Sequence, residues 1–105
     1  MPIEKKEIAK IVDQGRIFWQ RNSLERMLER GISRKDVINV LSLGEIIESY
    51  STDQPYPSVL MLGFVNEDPI HVVVALNNNS DRCYVITAYK PDSRHFESDF
   101  RTRKK

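Results

Sequence analysis

Residues 58–89 read SVLMLGFV (58–65), NEDP (66–69), IHVVVAL (70–76), NNNSD (77–81) and RCYVITAY (82–89). The three apolar blocks have strand length, are rich in β-branched and aromatic residues, and are bounded by turn formers. Strands are therefore expected over residues 58–65, 70–76 and 83–89. The connections 66–69 and 77–81 are short, so neighbouring strands should pair as antiparallel hairpins. The blocks are apolar on both faces, which predicts a sheet covered on both sides, with helices on at least one.

Working outward, Glu45–Tyr50 adds a fourth strand, and a polar loop containing Pro55-Tyr56-Pro57 links it to the next. Upstream the period changes to that of helices. Ile8, Ile11 and Val12 predict a helix over 3–14, stopped by Gly15. Ile17-Phe18-Trp19 forms a short apolar knot. Leu24, Met27 and Leu28 stripe a second helix over 20–31, ended by Gly31. Ser33 with Asp36 reads as a capping box for a third helix carrying Val37, Ile38, Val40 and Leu41, which Gly44 ends. After Pro91, Asp92 or Ser93 can cap a short C-terminal helix with Phe96 and Phe100 on one face. The expected fold is α+β: N-terminal helices on a four-stranded antiparallel sheet, plus that last helix.

A chain of 105 residues suits one domain over its whole length, with a mobile basic tail at 101–105. A net charge of +1 confines any electrostatic function to local patches. The single Cys83 can form no intrachain disulfide, which suits a reducing compartment. No apolar leader and no apolar run approaching the roughly 18 residues of a membrane span is evident, so a cytoplasmic protein away from membranes is expected. No Gly-rich phosphate loop, nucleophile elbow or His-Glu-x-x-His occurs, so no metal or cofactor is expected.

Asn22, Arg26 and Arg30 recur every four residues and form one polar-basic ridge on the second helix. Two guanidinium forks one turn apart suit a phosphate; equally, they suit ion pairs with Glu25 and Glu29 on a solvated face. His71, inside a strand, can exchange protons near neutral pH or simply fill a bonded place in the core. Tyr56 and Tyr89 can stack on bases or pack with their hydroxyls outward, and Lys90 and Arg94 flank the second of them.

Several blocks together resemble the domain-of-unknown-function family 4258. They are Leu24 to Ser33, Asp36-Val37, Gly44 to Tyr50, Pro55-Tyr56-Pro57-Ser58, Leu62-Gly63, Ile70 to Val73 and Ile86 to Asp92, within about residues 18–101. The resemblance implies a RelE-like fold and a toxin-like protein encoded beside a small antitoxin-like partner. It further implies an endoribonuclease acting on mRNA, free or bound to the ribosome. The family's polar signature is a histidine followed at four-residue steps by two arginines. Here Arg26 and Arg30 match, and Asn22 stands at the histidine position.

Asparagine is no general acid or base at neutral pH. Metal-independent cleavage would then rest on His71 as the proton-exchanging group, with Arg26 and Arg30 on the phosphate. Asn22, Tyr56, Tyr89, Lys90 and Arg94 would hold the RNA. The alternative is a module that binds RNA or protein and has lost the chemistry with the histidine.

Overall fold

The computed structural model describes residues 3–77, 79–92, 96 and 98–102. In chain order the elements are α1 (Lys5–Asp13), β1 (Ile17–Trp19), α2 (Arg21–Glu29), α3 (Arg34–Leu43), β2 (Glu45–Tyr50), β3 (Ser58–Val65), β4 (Asp68–Asn77) and β5 (Arg82–Tyr89). The fold is α+β, and all three expected N-terminal helices form. Their ends follow the local chemistry. Ser33 Oγ accepts from Asp36 N, and Asp36 Oδ2 accepts from Ser33 N, both at 3.0 Å, which satisfies free donors at the start of α3. At the end of α2, Gly31 takes φ +70°. That lets Gly31 N reach Leu28 O and Ile32 N reach Met27 O at 2.9 Å, the paired bonds that close a helix.

The sheet has five strands in the order β1-β5-β4-β3-β2. The expectation of four antiparallel strands is corrected on two points. Ile17-Phe18-Trp19 is an edge strand, and it runs parallel to β5, pairing Ile17 with Cys83, Phe18 with Tyr84 and Trp19 with Val85. Three residues are too few to show a strand's period, and the partner lies at the other end of the sequence. The β3–β4 turn is also tighter than expected. Asn66 and Glu67 alone make it, both at positive φ, so Asp68 and Pro69 belong to β4.

Helices cover one face of the sheet. Val59, Met61, Val72, Val74, Cys83 and Val85 meet Ile8, Ile11, Met27, Val37 and Leu41 in one buried cluster. The alternating positions Ser58, Leu60, Leu62 and His71 are buried on the other face, with Phe96 edge-on to His71. Phe96 sits in an isolated bridge, and residues 98–102 form turns and bends. The rest of the expected C-terminal helix, 93–95 and 97, lies outside the described residues, as do residues 103–105 of the basic tail. The start of that tail is tied down: Arg101 pairs with Glu45, and Asp99 Oδ1 accepts from Arg101 N at 2.9 Å and Thr102 N at 3.0 Å. Those backbone donors, Thr102's first, hold the Asp99 carboxyl below its ordinary pKa.

Gly44 sets the distance between α3 and the sheet. A Cβ there would lie 2.5 Å from both Leu62 O and Val40 O, backbone atoms that cannot swing aside. Gly44→Ala should therefore cost about 1–3 kcal/mol, the usual penalty of overpacking. A lowered midpoint in chemical denaturation at unchanged slope is the expected result; an unchanged midpoint would show that α3 can lift off the sheet freely.

Candidate nucleic-acid interface

Strand β1 covers the edge of β5 only as far as Val85. Beyond it the β5 backbone carries an irregularity. Val74 pairs with Val85 and Val73 with Thr87, which leaves Ile86 as an extra, unpaired residue. Helix α2 takes over the uncovered edge. Ser23, buried on its inner face, donates its hydroxyl to Ile86 O at 2.7 Å, with Val85 O at 3.2 Å. Two turns later, Arg30 Nη1 donates to Ala88 O at 2.8 Å and approaches Thr87 Oγ1 at 3.4 Å. The helix thus replaces a missing strand by supplying side-chain donors to edge carbonyls.

This docking fixes the expected basic ridge. Arg30 is exposed and held at one guanidinium nitrogen, so its Nε and Nη2 donors remain directed away from that bond. Arg26 is exposed one turn earlier and has no carboxylate partner among the described residues. Asn22, Glu25, Arg26 and Glu29 line a shallow hollow of about 250 Å³. Glu25 is drawn to Arg21 at 3.1 Å, which leaves Glu29 as the competing carboxylate in the hollow. Lys90 is exposed two residues beyond Ala88, at the end of β5 where Arg30 binds.

His71 lies elsewhere. Its side chain is 0% exposed, on the sheet face away from the helices. Nε2 is 2.7 Å from Phe100 O, and a carbonyl only accepts, so Nε2 carries the proton. Nδ1 faces the Tyr89 hydroxyl at 3.4 Å. The ring stands edge-on to Phe96 at 4.5 Å and to Tyr89 at 5.4 Å. In this conformation neither nitrogen is open to a substrate. Tyr89 therefore belongs with His71, while Tyr56 stacks on Tyr84 with ring centroids 5.6 Å apart.

The expected site residues thus fall in three places. Asn22, Arg26, Arg30 and Lys90 follow the α2–β5 edge, His71 and Tyr89 lie beneath Phe96 and Phe100, and Tyr56 joins Tyr84. Arg94 lies outside the described residues. Sequence reasoning missed Ser23. Its signal was present, because Ser23 and Met27 share an inward face at four-residue spacing, and a serine there needs an acceptor. Among the described residues, no three His, Cys, Asp or Glu side chains gather in a way that could hold a metal, and no helix is long and apolar enough to cross a membrane.

The site is a helix of mixed charge clamped to the open edge of a mixed sheet, with Arg26 and Arg30 exposed along it. The chain belongs to the family described as domain of unknown function (DUF4258), whose model matches residues 19–90. The match includes α2, Arg26, Arg30 at the end of that helix, and the whole of β5. Among curated proteins none matches the chain.

Burial pushes the Cys83 thiol from 9.0 up to about 12. Native protein at pH 8 should therefore resist thiol reagents, and one thiol per chain should react once denaturant is added. The sign for stability follows from proton binding. Above pH 9 the unfolded chain releases a proton that the native one keeps, so stability is lost between pH 9 and about 12. Cys83→Ala should flatten that alkaline decline; an unchanged slope would assign it to other groups.

Proposed function

We propose that this chain is an RNA-binding, toxin-like protein of the RelE-like kind, acting in the cytoplasm and neutralised by a small antitoxin-like partner. Its role towards RNA is binding rather than cleavage through His71. The observation that carries this reading is the anchoring of Arg30 to Ala88 O, which holds two arginines and the end of β5 along one exposed edge. A guanidinium fixed at one nitrogen has already lost much of its freedom, so a phosphate meeting the remaining donors orders little more. Messenger RNA, free or on the ribosome, is the ligand to which the family resemblance points.

Cleavage without a metal needs a group that takes the 2′-hydroxyl proton. Asn22 cannot do so at neutral pH, and His71 has both nitrogens engaged beneath Phe96 and Phe100. An endoribonuclease using His71 would have to displace the segment ending at Arg101, against its pairing with Glu45. The geometry therefore favours the binding module over the nuclease that sequence reasoning placed first.

Labelled single-stranded RNA, incubated with the protein in EDTA, tests both halves. The expected outcome is saturable binding with the RNA intact. Arg26→Ala should weaken binding and reduce the salt slope by about 0.7, the contribution of one phosphate contact on a single strand. Metal-free cleavage that disappears in His71→Asn, with the fold retained, would overturn the binding-only reading and restore the nuclease.

A further inference from the structure

Parallel pairing of β1 with β5 sets Phe18 beside Tyr84 on the sheet face opposite the helices. Their ring centroids are 5.6 Å apart, with planes inclined at 32°. Tyr56 stacks on Tyr84 at 5.6 Å and 9°. The Arg82 guanidinium lies over Phe18, 5.1 Å from the ring centroid. Three rings and a guanidinium thus form one row, assembled from β1, β5 and the loop before β3. The next residue along β1, Trp19, packs against the core cluster instead.

We propose that this row is a stacking surface for the bases of single-stranded RNA, with Arg82 contacting the adjoining phosphate. The inference rests on the RNA-binding reading above and adds a site to it. Phe18 is 42% exposed at the edge of the sheet, and its contact with Tyr84, which in turn stacks on Tyr56, makes it part of a contiguous aromatic patch rather than a single exposed ring. Arg82 has no carboxylate partner among the described residues, so the cation held over the ring keeps its donors for a ligand. Arg82 covers one face of Phe18, so a base would stack on a face the guanidinium leaves open; aromatic faces accept any base, whereas bases inside a duplex are already stacked and out of reach. Phe18 precedes α2 by only Trp19 and Gln20, so the row and the ridge are neighbours along the chain.

The experiment uses the full chain with fluorescently labelled oligouridine and with a duplex of the same length, measured by anisotropy. Phe18→Leu keeps the apolar bulk and removes the π face. It should weaken binding of the single strand about tenfold, as expected for losing one stacked base. Arg82→Ala should weaken it and lower the salt slope, and the duplex should bind poorly throughout. Photo-crosslinking of a 5-iodouridine oligonucleotide to wild-type protein, with the adduct mapped by mass spectrometry, depends on no variant's folding. It should mark Phe18, Tyr84 or Tyr56. Wild-type affinity in Phe18→Leu while Arg26→Ala is impaired, or adducts confined to other residues, would overturn the stacking surface and leave the RNA-binding reading intact. Absence of RNA binding by the wild type would overturn both.

Discussion

The structure hinges on how the open edge of β5 is closed. An edge strand presents unpaired carbonyls, and a buried carbonyl left without a donor costs about 1–3 kcal/mol. Strand β1 ends at Trp19, opposite Val85, and from there the donors are the Ser23 hydroxyl and the Arg30 guanidinium. Because these two residues are seven apart, they fix the rotation of α2 about its axis as well as its height along β5. Rotation decides which side chains face out. With Ser23 and Met27 inward, Asn22 and Arg26 must point to solvent.

The two faces of the sheet then have different tasks. Beneath the helices lies an ordinary apolar core, and the inert Cys83 thiol belongs to it. The opposite face is divided. Towards the end of β5, His71, Tyr89 and Phe96 pack beneath a C-terminal segment tied to Glu45 through Arg101. Towards its start, Tyr84 is stacked with Tyr56 and tilted against Phe18, which is partly open. A histidine held between a carbonyl and a phenol helps to seat the C-terminal segment, and burial of both nitrogens keeps it from exchanging protons with a ligand.

Much of this was legible in the sequence, for local reasons. Strands β3 to β5 announce themselves as apolar blocks between turn residues, and Gly31, Ser33 and Gly44 mark helix ends through chemistry confined to a few neighbours. What was not legible depends on distant pairing. Nothing near Ile17 indicates that Cys83 lies beside it, so the fifth strand and the Phe18–Tyr84 contact stayed hidden. The alternation of Ile70 and His71 puts them on opposite faces. Whether His71 meets solvent depends on Phe96 and Phe100, more than twenty residues later. Arg30 was read from the sequence as part of a ridge with Arg26. Its second engagement, with the β5 carbonyl, follows from the irregularity at Ile86, which no local pattern signals.

In the proposed RNA-binding protein, the α2–β5 edge and the aromatic row, not the histidine, meet RNA. Titrating isotopically labelled protein with single-stranded RNA while following its NMR spectrum tests this most directly. Amide shifts are expected on residues 21–30 and 87–90 and on Phe18, Arg82 and Tyr84 of the aromatic row, with the His71 ring resonances unmoved. Shifts centred on His71 and Phe100, with α2 silent, would contradict it and return the site to the buried histidine.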